Sequence, residues 1–133
     1  MLAKAAVLLE AAKKDLYQGN YEGVLLSVRN ALTHYIMKRV SEEEQSPKQH
    51  RRKKWILKEE IKNSFLEKAP DNAEKEYKDL LKWVEEEFRA QLRIINDVYM
   101  HKEKIRVYPR PEDAEQILSI TAYLVRYLSQ CLI

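Results

Sequence analysis

"EAAKKDLYQGNYEGVLLSVRN", residues 10–30, contains the reading on which the fold turns. On its N-terminal side, Leu2, Ala5, Ala6, Leu9, Ala12 and Leu16 recur at intervals of three and four. That is the period of a helix with one apolar face, and it predicts a helix over 2–17. On its C-terminal side, Tyr21, Val24, Leu25, Val28, Leu32, Tyr35 and Ile36 repeat the pattern and predict a second helix over 21–40. Between them lie only Gln18, Gly19 and Asn20. Gly19 can take the left-handed conformation that ends a helix, and the Asn20 side chain can cap the next one. So short a link predicts two antiparallel, adjacent helices.

Downstream, "SEEEQSPKQHRRKK" (41–54) is acidic in its first half, divided by Pro47 and basic in its second. It is expected to be the least structured and most mobile part. A helix over 55–67 follows, with Trp55, Ile56, Ile61, Phe65 and Leu66 on its apolar face. "APDNAEKEY" (69–77) breaks the chain and restarts it, with Asp71 as the expected cap. A long helix over 72–101 then carries Tyr77, Leu81, Val84, Phe88, Leu92, Ile95 and Tyr99. Pro109 and Pro111 stop it from continuing through 102–110, and Pro111 suits the first turn of a last helix over 112–132. That helix is apolar to its end, so it belongs at the centre or at an interface. The expected architecture is all-α: one domain over 1–133, an antiparallel bundle of about five helices with no sheet.

Composition narrows the function. No run approaches the ~20 apolar residues of a membrane span, so a membrane is not an expected partner. Glu10, Lys13 and Lys14 interrupt the N-terminal run too early for a signal peptide. Cys131 is the only cysteine, which excludes an intramolecular disulfide and suits a cytoplasmic location. The net charge is +3, so the placement of the cations matters more than their excess. With no Cys/His cluster, no Glu-x-x-His pair and only two isolated glycines, the expectation is no metal and no cofactor. Catalysis would fall to His, Arg and carboxamide or hydroxyl groups.

Three groups of residues could carry such chemistry. Arg93, Asp97 and His101 follow i, i+4, i+8 spacing, with Asn96 beside them and Arg89 one turn earlier. On one continuous helix they form a ridge: a carboxylate four residues before a histidine can orient it, and an arginine can hold a phosphate. The ordinary alternative is a solvated helix face. "RNALTHY" (29–35) is the second group, with Arg29, Asn30 and His34. Positions five apart on an α-helix diverge by about 140°, so Arg29 and His34 can cooperate only across a dimer or through a helix break. The third is "KQHRRKKW" (48–55), where Arg51, Arg52, Lys53 and Lys54 could bind a phosphate backbone and Trp55 could stack on a base. Its ordinary alternative is a charged loop with Trp55 anchoring the third helix.

The opening hairpin "AAVLLEAAKKDLYQGNYEGVLLSVRNALTHYI" and the closing "INDVYMHKEKIRVYPRPEDAEQILSITAYLVRYL" resemble a HEPN domain, an all-helical superfamily of toxin–antitoxin, abortive-infection and CRISPR-associated proteins. The first matches a small-residue helix, a Gly-containing turn and an Arg-x-Ala-Leu second helix. The second matches an ending in which Asn or Asp and a His close one helix and Glu-Asp-Ala opens the last. Ribonucleases of this superfamily carry an Arg, a polar residue and, four to six residues on, a His, and two copies face each other in a homodimer. The resemblance implies His101 as the histidine and Asp97 as the polar residue. The arginine's place falls on Asn96, with Arg93 one turn back to substitute. Arg29, Asn30 and His34 satisfy the motif literally, but in the second helix. What the resemblance implies is a homodimeric, metal-independent endoribonuclease of a defence or toxin–antitoxin system. The alternative is a non-catalytic HEPN module that binds a partner protein such as a nucleotidyltransferase. A third reading is a small helical subunit of a ribonucleoprotein.

Overall fold

The computed structural model describes residues 2–41 and 53–132. The first two helices are α1 (Ala3–Tyr17) and α2 (Tyr21–Ala31), joined as the sequence predicts. Gly19 sits at φ 77°, and the Asn20 side chain accepts a hydrogen bond from the Gly23 N–H at 3.1 Å. A side chain at Gly23 would collide with that same carboxamide, so Gly23 lets the cap close. The other helices are α3 (Glu59–Glu67), α4 (Glu74–Ile94) and α5 (Pro111–Cys131). Among the described residues these are the five α-helices, and the fold is predominantly all-α. None of them is long and apolar enough to cross a membrane.

α5 is central. It packs against α1, α2 and α4, and Ile117, Leu118, Leu124, Val125 and Leu128 are buried there. Leu25, Val28 and Leu32 from α2 and its extension, Phe65 from α3, and Phe88 and Leu92 from α4 meet them in one core. Burial on this scale, at about 25 cal/mol per Å² of apolar surface, is the main stabilising term. Pro111 opens α5 with Glu112 and Asp113 in its first turn, and the Asp113 carboxylate accepts the Arg110 N–H at 3.2 Å.

Four expectations need correction. The second helix does not run to residue 40. It widens into a π turn at Leu32–Ile36 and then becomes strand β1 (Met37–Ser41). The Thr33 hydroxyl donates to the Arg29 carbonyl at 2.9 Å, competing for the acceptor that the next helical turn would use. The third helix does not begin at residue 55. Trp55 and Ile56 lie in strand β2 (Lys53–Leu57), which pairs antiparallel with β1 from Met37↔Leu57 to Ser41↔Lys53. The long helix does not reach residue 101. α4 ends at Ile94, passes through a second π turn, Ile95–Tyr99, and enters a second short ribbon. This ribbon pairs β3 (Met100–His101) with β4 (Lys104–Ile105), its turn containing Lys102 at φ 52°. Asp71 does not cap α4; the chain turns at Asn72, φ 66°, and α4 starts three residues after Asp71. The expected mobility of 41–54 falls largely on 42–52, outside the described residues, while both flanks are paired strands.

The β1–β2 ribbon is fastened at its root. Met37 and Leu57 are buried, and the Lys58 N–H donates to the Ile36 carbonyl at 3.0 Å. Along the outer edge of β2, α4 supplies the missing partners. Glu85 accepts the Leu57 N–H at 2.9 Å, and the Arg89 Nε donates to the Trp55 carbonyl at 2.9 Å. Glu85 and Arg89 are themselves paired at 3.0 Å, and Lys62 joins Glu85 at 3.2 Å. An edge strand left bare would expose unpaired backbone groups; here side chains cover them.

Candidate functional site

α2 and α4 both end at one end of the bundle, and one hydrogen bond fixes how their ends meet. The Arg29 Nε donates to the Asn96 Oδ1 at 2.9 Å, both residues being half-buried. Arg29 comes from the last turn of α2 and Asn96 from the second π turn, 67 positions later. The two groups that the sequence sets up as rivals are therefore joined at this point. Asn30 and His34 lie on the α2 side, Arg93 and Asp97 on the α4 side, and all four are exposed.

The first π turn changes the relation between Arg29 and His34. Its closing N–H, from Met37, returns to the Leu32 carbonyl five residues back rather than four. Fewer degrees are turned per residue, so His34 is swung less far from Arg29 than a regular helix would place it. The turn that carries His34 is therefore not regular α-helix. The His34 carbonyl, freed by the irregular end, accepts the Lys58 Nζ at 2.8 Å.

The Arg93–Asp97–His101 ridge does not survive as a continuous helical face. Only Arg93 lies on the α-helix; Asp97 is in the π turn and His101 in β3. Among the described residues, no side chain forms a hydrogen bond or ion pair with Arg93, Asp97 or His101. Among the described residues these are one free cation, one free carboxylate and one free imidazole, with Arg93 and Asp97 flanking Asn96 in sequence. Arg89 has a different task, holding β2. Of the basic group, Arg51 and Arg52 lie outside the described residues, Lys53 and Lys54 open β2, and Trp55 is half-buried beneath the Arg39 guanidinium, 5.7 Å from the ring centre.

Two residues that the sequence reading did not select hold the site in place. Tyr99 closes the second π turn, and its phenol lies within the influence of the Asp113 carboxylate at the start of α5. Burial first, and the Asp113 carboxylate second, push the Tyr99 phenol upward. Asp113 is held down to about 2, chiefly by its hydrogen bond from the Arg110 side chain at 2.8 Å. The tyrosine carbonyl also takes the N–H groups of Arg106 and Val107, at 2.7 and 3.1 Å. A tyrosine two residues after Asp97 and an acid at the third position of a proline-led helix are the signals that could have marked this brace.

A groove of about 540 Å³ runs between α1 and α5 past Leu9, Lys13, Leu118 and Arg126. None of the candidate residues lines it. The chain matches no family model, no curated protein and no solved structure.

Proposed function

We propose that the chain is an RNA-directed protein of the HEPN kind, working as a cytoplasmic homodimer and cleaving RNA without a metal ion. The observation that supports the reading is the 2.9 Å bond between Arg29 and Asn96, which joins one residue from each of the two Arg/Asn/His groups. Arg93, exposed and unpaired among the described residues, supplies the cation for a scissile phosphate. His101 supplies the imidazole, with His34 as the second candidate.

In the reaction, the imidazole takes the proton of a 2′-hydroxyl as its oxygen bonds to phosphorus. The 5′-oxygen bond breaks, and that oxygen leaves with a proton from the acid partner, a second histidine. No co-reactant is needed. Asp97 is free to orient His101 once substrate brings them together; catalytic hydrogen bonds often tighten only in the complex.

A second reading, the non-catalytic module that binds a protein such as a nucleotidyltransferase, is favoured by a specific surface. Ile94, Val98, Val107 and Tyr108 are large, apolar and exposed along the end of α4 and the segment after β4, with Tyr108 70% accessible. Such a cluster suits a protein partner.

The test is RNA cleavage in EDTA. His101→Ala is expected to lower the rate by about 10²–10⁴, the usual worth of a general acid–base group, without loss of fold. Loss with His34→Ala alone moves the proton-transfer group to α2. Absence of cleavage by the unaltered protein, alone or with its genomic neighbours, removes the enzyme and leaves the binding module.

A further inference from the structure

The β1–β2 ribbon is basic. Its ten described residues, "MKRVS" and "KKWIL", include four cations and no acid. Arg39 and Trp55 are directly opposed in the register, so they share one face, and the guanidinium lies over the indole at 5.7 Å from the ring centre. Trp55 packs on the core beneath, while Arg39 is exposed. Among the described residues, no carboxylate pairs with that guanidinium.

The pair also sits on a rigid mount. The Trp55 carbonyl is held by Arg89 and the nearby Leu57 N–H by Glu85, both at 2.9 Å, so β2 is clamped to α4 at Trp55 and two residues beyond it. A contact surface already fixed in place loses little conformational entropy on binding. The root of the same ribbon adjoins the candidate site: β1 starts one residue after the first π turn, and Lys58 links the end of β2 to the His34 carbonyl at 2.8 Å.

We propose that the ribbon is a stacking platform for unpaired RNA, on which a base lies against Arg39 with Trp55 behind it, leading the strand toward Arg29 and Asn96. This rests on the reading of the protein as RNA-directed and adds the substrate class, single-stranded rather than duplex. The reason is geometric. A base in a duplex has both faces covered by its neighbours, whereas an unpaired base offers a π face to a guanidinium or an aromatic ring. Lys38 is partly neutralised by Glu59 at 3.4 Å, which leaves Arg39 and Lys54 as the free cations of the described ribbon side chains.

Trp83, exposed on α4, is the only other tryptophan, so Trp83→Phe makes Trp55 the sole emitter. In that protein, a short oligouridylate is expected to quench the emission and to bind at least about tenfold more tightly than its duplex with oligoadenylate. Arg39→Ala should weaken the single strand about 5- to 100-fold, the range of one stacked base, while the melting temperature stays put. Trp55→Phe should keep part of the affinity that Trp55→Leu loses. Equal binding of single strand and duplex with unmoved emission, or an Arg39→Ala variant that binds like its parent, overturns the platform and leaves the RNA reading standing. Binding of neither probe overturns both.

Discussion

α2 and α4 leave the α-helix by the same route: five π residues, then a methionine in extended conformation (φ −117°, ψ 158° at Met37; φ −111°, ψ 148° at Met100). In both, the methionine N–H returns to the carbonyl five residues back, and the chain enters an antiparallel ribbon. The ends differ in what they hold. The first launches a five-pair ribbon fastened by α4, while the second makes two pairs and then braces the start of α5 through Tyr99 and Asp113. Polar groups are divided to match. Arg29 from the first end and Asn96 from the second are spent on each other, whereas His34 and Asn30 on one side and Arg93, Asp97 and His101 on the other stay exposed. A π turn redirects the chain; which neighbouring side chains remain free decides what its surface can do.

Removing the residue that closes the first turn should have the largest effect on stability. Ile36 is fully buried, and Ile36→Ala should cost about 2–5 kcal/mol by denaturant titration, because a core cavity is left under the ribbon root. A loss below about 1 kcal/mol would mean that the ribbon holds itself without the turn.

The bond between the two ends should come next. Arg29→Ala leaves the half-buried Asn96 oxygen without its donor and should cost about 1–3 kcal/mol. The same measurement on Asn96→Ala and on the double variant gives the coupling. Effects that simply add would show the two ends to be energetically independent and would remove the central contact of the proposed site.

The brace at the second turn should matter least, and its signature is pH. The folded Asp113 carboxyl lies at about 2 against an ordinary 3.8, so its contribution is complete above about pH 4 and fades as pH falls toward 2. The stability gap between the native protein and Asp113→Asn should close over that window. A gap that persists unchanged at pH 2 would assign Asp113 a role other than that of a charged acceptor.

The residues show where legibility ran out. The apolar period of "LTHYIMKRV" continues past residue 31 without interruption, and Met, Lys and Arg are all good helix formers. The strand at Met37–Ser41 exists because Lys53–Leu57 pairs with it, and pairing of that kind overrides local preference. The same omission extended the long helix to residue 101 and drew His101 onto a ridge it does not share. The β-branched and aromatic residues Val40, Trp55 and Ile56 in "MKRVS" and "KKWIL" carry the weak signal that could have suggested a ribbon.

By itself, the sequence determined five amphipathic helices, the reversal at Gly19 and Asn20, and the proline-led start of α5. These are matters of local period, backbone freedom and capping, settled within a few residues of where they are read. Only the tertiary structure decided where α2 and α4 stop, that a ribbon rather than a helix carries Trp55, and that Arg29 meets Asn96. The physical reason is separation. The donor and acceptor of that bond are 67 positions apart. No local period connects them until packing of both helices around α5 brings their ends together.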